Sequence, residues 1–191
     1  MKNKKVDLKR PTVLVLGLIL LLSLVLTSFA GCGEEVLVNK TEGGLNFVIP
    51  DDFERTYKTY TNAEENIYKL FEYSSDDIGF VVDLIPYSVY KHEDETEFRY
   101  GESIKTCTEA IIDEMGLSST ITYNEEKKTA QFDTWVSDEA GTEAYYSYIT
   151  ILLSKRGIFV ARYICEGSES KIEKYVSKFA EMSSHLSVQD P

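Results

Sequence analysis

Few side chains able to do chemistry in this 191-residue chain stand where they could do it together. His92-Glu93 opens like the helix of a zinc protease, but Thr96 occupies the place where the second histidine must return, so no ligand pair forms. The other histidine, His185, lies near the C-terminus, and two histidines so far apart make no transition-metal site; neither a metal nor a cofactor is expected. Ser88 with Lys91, and Ser168 with Lys171, have the spacing at which a lysine one helical turn on deprotonates a serine. The first pair falls on a strand or loop, the second at a helix start, and the companion motifs of such enzymes are missing. Gly101-Glu102-Ser103 is followed by Ile104 and Lys105, so the second glycine of a nucleophile elbow is absent too. Asp76-Asp77 and the run His92-Glu93-Asp94-Glu95-Thr96-Glu97 offer oxygen ligands that suit calcium, but not at the spacing of a calcium loop. Acid runs of this kind more often form solvated turns or helix starts. Aromatic residues are the remaining signal. Strand alternation puts Tyr146 and Tyr148 on one face with Tyr145 on the other, and Trp135 with Asp133 and Gln131 opposite Phe132 and Val136. Trp135, Tyr146 and Tyr148 are therefore candidate ligand contacts, since an amphipathic ring at a polar surface can stack on a sugar or a peptide; the alternative is that these rings are core.

Cys32 is the one residue whose surroundings specify a reaction. A head carrying Lys2, Lys4, Lys5, Lys9 and Arg10 against Asp7 precedes an almost purely aliphatic run from Val13 to Phe29, the architecture of an export signal. Phe29, Ala30 and Gly31 then lead into Cys32, and this run resembles the lipobox of bacterial lipoproteins, with Phe29 in place of the usual Leu. The resemblance implies cleavage before Cys32, a diacylglyceryl thioether on its sulfur, and residence on the outer face of a plasma membrane. Two acyl chains anchor stably where one binds marginally. An uncleaved membrane helix is the alternative, because the apolar run is near the ~18 residues at which a span becomes credible. A plain anchor, however, has no reason to place Ala-Gly-Cys at its boundary.

Cleavage there removes 31 residues, including five of the 20 basic and one of the 32 acidic side chains, and leaves 160 residues with a net charge of −16. That is one ordinary domain. So acidic a surface repels nucleic acid and anionic headgroups, so no nucleic-acid partner is expected and the lipid supplies the membrane contact. The chain divides into a signal peptide, 1–31, a lipidated cysteine with a tether spanning on the order of 20 Å, 32–44, and a domain, 45–188. Cys107 and Cys165 fall on a helix and a strand among aliphatic neighbours and read as two buried free thiols.

The elements that position these residues follow from periodicity. Alternation predicts strands at Leu45–Ile49, Ile67–Tyr73 and Gly79–Pro86, the last two joined as a hairpin through Ser74-Ser75-Asp76-Asp77. Tyr100, Ile104, Cys107, Ile111 and Met115 recur at helical spacing and predict a helix from about Glu97 to Met115, with Asp94 and Glu97 as a capping box and Gly116 as its stop. Strands follow at Thr120–Tyr123, Thr129–Val136, Thr142–Leu153 and Ile158–Cys165, separated by short polar turns that make neighbours antiparallel. A last helix carries Ile172, Val176, Phe179 and Leu186 on one face, with Ser170 and Glu173 as its capping box. The fold class is α+β: a twisted antiparallel sheet of about six to seven strands with helices packed on it. The opening Leu45-Asn46-Phe47-Val48-Ile49-Pro50-Asp51-Asp52-Phe53, the long central helix, the tyrosine-rich hairpin and the terminal helix resemble PsbP-like domains. That resemblance implies an α/β/α sandwich and carries no activity with it. The sequence thus reads as a non-catalytic, membrane-anchored binding or scaffolding domain for an envelope protein or ligand. An enzyme or enzyme accessory acting on an envelope substrate is the second reading, and a small-ligand carrier the third.

Overall fold

The structure, a computed structural model, describes residues 36–56, 61–62, 67–138 and 143–189. The unit that begins at Leu37 holds every element below. Phe29, Ala30, Gly31 and Cys32 lie outside the described residues. No helix among the described residues is long and apolar enough to cross a membrane.

Strands β1 (Leu37–Glu42) and β2 (Leu45–Pro50) form a hairpin in which Glu42 faces Leu45 across Gly43 and Gly44. Both glycines have positive φ, 62° and 93°, the two-residue turn whose twist matches that of paired strands. The expected tether is corrected here: residues 37–42 are a strand of the fold, so four residues separate Cys32 from it. Further along come β3 (Glu54–Thr56), β4 (Thr61–Asn62), β5 (Ile67–Ser75) and β6 (Ile78–Ile85), the last two turning at Asp76-Asp77 as the sequence suggests. The helix expected from Glu97 is shorter, α1 (Ile104–Met115). Its cap is Ser103, whose Oγ accepts from Thr106 N at 3.0 Å, whereas the Asp94 carboxylate accepts from the N and Oγ1 of Thr96 in a preceding turn. Gly116 ends the helix in the left-handed conformation, φ 63°.

Strands β7 (Thr122–Asn124), β8 (Thr129–Ser137), β9 (Ala144–Ser154) and β10 (Gly157–Gly167) follow as antiparallel neighbours. Gly157, φ 145°, starts β10 where a Cβ would sit 2.7 Å from the Ile85 carbonyl oxygen, so glycine lets β6 approach. The final helix, α2 (Glu169–Ser184), starts one residue ahead of the expected capping box. Leu186 is buried but lies past the helix end, just before β11 (Ser187–Val188). The main sheet runs β3-β5-β6-β10-β9-β8-β7, with β4 also on β5, and a small sheet runs β1-β2-β11. The architecture is α+β, an antiparallel sheet with two helices, as expected.

Alternation along β9 and β10 divides the core in two. On one face Tyr146, Leu152, Phe159, Ala161 and Tyr163 meet β2 and α2 through Phe47, Ile172 and Phe179. On the other, Ile149, Ile151, Ile158 and Val160 meet α1 through Ile104, Cys107 and Ile111. Cys107 and Cys165 therefore sit in different cores and are free thiols. Strand β1 is held to the main sheet by Glu42, which pairs with Arg55 and accepts from the Tyr73 hydroxyl at 2.7 Å. Burial pushes the Glu42 carboxyl up, but the bonds from Arg55 and Tyr73 together outweigh it and hold it below its ordinary value. A depressed carboxyl stabilises the fold above its unfolded pKa and stops doing so as pH falls through the folded one. Glu42→Gln is accordingly expected to lower stability by about 0.5–1 kcal/mol at neutral pH, and by progressively less as the pH falls below the ordinary carboxylate range, in urea unfolding followed across that range.

Candidate functional site

Residues of opposite character share β8. Ala130 and Phe132 point into the α1 core, while Gln131, Asp133 and Trp135 point to the α2 side. On that side α2 lies over β9, β10 and β2. The flank formed by β8 stays partly open: Gln131 is half-buried, Asp133 exposed, and Trp135 keeps 41% of its surface accessible. Directly across from them on β9 stand Thr150, Tyr148 and Tyr146.

The structure brings Trp135 and Tyr146 together and gives them different roles. Tyr146 is fully buried, stacked on Phe179 with centroids 6.0 Å apart, and is corrected from a ligand contact to core. Trp135 meets it in a T-shaped contact, centroids 5.6 Å and planes 65° apart. The Tyr146 hydroxyl donates to Asp133 Oδ2 at 3.2 Å. Burial, and then the Asp133 charge, pushes the Tyr146 phenol up, so it remains a donor at any physiological pH. Tyr148 is half-buried and packs against the same core, its phenol pushed up by burial and by Asp133.

Beside this row, Gln131, Thr122, Asn124, Lys127, Thr150 and Ser183 line a cleft of about 190 Å³. Gln131 Nε2 donates to the Ser183 carbonyl at a long 3.5 Å. Thr150 and Ser183 are 1% and 2% exposed, yet neither hydroxyl finds a hydrogen-bond partner among the described residues. Two such atoms on residues that line one cleft are unusual, because a buried polar group without a partner costs about 1–3 kcal/mol. Gln131 and Asp133 are legible in the sequence as the polar face of β8. Thr150 shows there as one of two polar interruptions in an apolar strand, but Ser183 meets it through tertiary packing and gives no local signal.

The other candidate groups are engaged elsewhere. Lys171 pairs with Asp77, and that bond raises its pKa, so it stays protonated and cannot deprotonate Ser168. Lys91 pairs with Glu95 at 3.3 Å, and the Ser103 hydroxyl is taken by the α1 cap. His92 bonds Glu102 at 3.1 Å and lies against the Phe98 ring, outside any helix. Burial first, and then Glu102, pushes the Cys107 thiol up to about 12, which leaves it un-ionised. Another cavity, of about 490 Å³, is lined by Val136, Ser137, Tyr145, Asp138, Glu143 and Glu166, with no histidine, lysine or cysteine among its lining residues. Among the described residues no three His, Cys, Asp or Glu side chains are placed to hold a metal.

No family model matches the sequence, and no curated protein matches it. Among solved structures the fold is similar to those of PsbP-like and Ran-binding proteins. One is cyanobacterial PsbP (CyanoP) from Synechocystis sp. PCC 6803, 11% identical over 83% of this chain and 95% of that one, with a TM-score of 0.36. Another is the Saccharomyces cerevisiae Ran-binding protein Mog1p, 13% identical over 81% and 97%, with a TM-score of 0.42. A third is LpqN, involved in cell envelope biogenesis of Mycobacterium tuberculosis, 8% identical over 82% and 90%, also at 0.42. The likeness is one of fold.

The two orphaned hydroxyls yield a stability prediction. Thr150→Val keeps the shape and removes the unpartnered oxygen, so it is expected to raise stability by about 1 kcal/mol, read as a higher midpoint in urea unfolding with an unchanged slope. A loss of stability would show that the hydroxyl is already satisfied.

Proposed function

We propose that this chain is a lipid-anchored extracytoplasmic protein whose folded domain is a non-catalytic binding module for an envelope ligand or protein. The observation that carries the binding role is the open flank of β8, where an exposed tryptophan is fixed beside a polar row and a cleft with unpartnered buried hydroxyls. Binding sites commonly combine an aromatic surface with a few convergent polar groups in this way. Support for a non-catalytic role comes from Ser103, which caps a helix, Lys171, which is paired with Asp77, and Cys107, which is buried un-ionised. The anchor is supported by the sequence from Lys2 to Cys32, and the net charge of −16 after cleavage leaves the lipid as the membrane contact.

The reading is tested in cells grown with labelled palmitate. Label is expected on the wild-type protein and absent from Cys32→Ala, which moves from the membrane to the soluble fraction; label that persists in the variant overturns the anchor. For the binding role, a photoreactive residue at position 135 is expected to form specific crosslinks, and one at exposed Lys105 on α1 is not. Equal yields from the two positions would remove the role assigned to β8.

A further inference from the structure

We infer that the open flank of β8 binds a neutral oligosaccharide, with Trp135 as the stacking platform and Asp133, Gln131, Thr150 and Ser183 as the groups that read its hydroxyls. The inference rests on the binding role proposed above and names the ligand class.

Three features of the flank converge on a sugar. The apolar C–H face of a pyranose packs on an aromatic ring, and Trp135 is 41% exposed and packed in a T-shaped contact with a fully buried tyrosine. Such a ring loses little freedom on binding, because its two side-chain torsions are already set. Next on the same face, about 7 Å away by strand geometry, is the Asp133 carboxylate, which accepts only and can take a pair of sugar hydroxyls while the Tyr146 hydroxyl holds one of its oxygens. Another 7 Å or so along, Gln131 presents both a donor and an acceptor at the mouth of the cleft. The row is therefore roughly 13 Å long, a span that calls for more than one sugar ring. In the wall of the cleft, Thr150 and Ser183 keep two hydroxyls that are closed off from solvent and have no partner among the described residues. A polyol that enters the cleft and shifts the side chains covering them supplies donors and acceptors to both and recovers the cost of leaving them unmade.

The arrangement favours this ligand over two others. A peptide that extended the sheet would be read through the backbone of the β8 edge and by pockets on both faces. Here the Asp133 carbonyl already accepts from Ser119 Oγ at 2.8 Å, and the polar groups all lie on one face. An anionic polymer would meet Asp133 itself and a domain of strongly negative charge.

Trp135 is the chain's single tryptophan, so its emission reports on this flank alone. The full-length protein in nanodiscs of zwitterionic lipid is titrated with N-acetylated chitotetraose and with cellotetraose, with an extended acidic peptide and a neutral one as controls. At least one tetrasaccharide is expected to give a saturable emission change and protection from acrylamide quenching at millimolar concentration or below. By calorimetry, Trp135→Ala is expected to weaken that binding about tenfold. Thr150→Val is expected to weaken it several-fold in a protein at least as stable as wild type, which separates lost contact from lost folding. If neither tetrasaccharide moves the emission up to millimolar concentration, the inference fails. A saturable response to a peptide alone overturns the sugar assignment and leaves the binding role standing, whereas a failure of the position-135 crosslinks removes that role itself.

Discussion

The β9–β10 hairpin is the constraint on which everything else depends. Eleven register pairs, from Gly157 with Ser154 to Gly167 with Ala144, fix two strands that are buried on both faces for most of their length. Because side chains alternate, that single register decides which residues belong to each core. A slip of one strand by one residue would turn that strand's set over, sending Tyr146 of β9, or Phe159 and Tyr163 of β10, to the α1 side, and neither core could pack. The short turn at Lys155-Arg156 closes the hairpin, and Gly157 lets β6 come close enough to extend the sheet. Helices on opposite faces, the small β1-β2-β11 sheet closing over one core, and the flanking strands all follow from this pair.

From the hairpin a line of ring contacts reaches the surface. Phe47 meets Phe80 at 4.9 Å, Phe80 stacks on Tyr163 at 4.4 Å, and Tyr163 stacks on Phe179 at 5.6 Å. Phe179 then stacks on Tyr146, and Tyr146 holds Trp135. Each contact contributes about 0.5–1.5 kcal/mol beyond the area it buries. The Tyr163 hydroxyl, which would otherwise be stranded, donates to the Val48 carbonyl at 2.7 Å and ties β10 to β2. Trp135 is thus the exposed end of the core. A ring positioned this way is rigid because its support is packed, whereas a tryptophan on a loop would have to be ordered by its ligand.

Much of this was legible in the sequence, and the failures have physical causes. The strands from Ile67 to Cys165 were readable because their alternation is strong, and Gly116 marked the end of α1 because only glycine adopts that left-handed stop cheaply. Residues 37–42 read as a tether because their outward positions are polar and none of the strand is fully buried; the informative signal was the Gly43-Gly44 pair, which demands a two-residue hairpin. The α1 start was misplaced because Tyr100 falls in register with the apolar stripe, yet it is 48% exposed and packs edge-on against Tyr87 ahead of the helix. Trp135 showed itself through the polar company it keeps on β8. Tyr146 looked equivalent, but whether α2 covers a given position on that face is decided by tertiary packing, and no local pattern encodes it.

The same partial cover explains why the α2 face has an open flank at all. Helix α2 is sixteen residues long, about 24 Å, and lies across β9, β10 and β2, while β8 and β7 continue the sheet beyond it. On the opposite face α1 contacts β7, β8 and β9, so those strands are apolar there, through Tyr123, Ala130 and Phe132. A flank covered on one face and bare on the other must alternate apolar and polar residues, and β8 does so from Thr129 to Asp133. Trp135 breaks that rule, since a large ring stands where solvation calls for a polar side chain. Thr150 and Ser183 break the complementary rule by burying hydroxyls without partners. Either departure alone would be a minor loss of stability. Placed on one face, beside one cleft, they cost stability together, and it is this coincidence that the binding proposal explains.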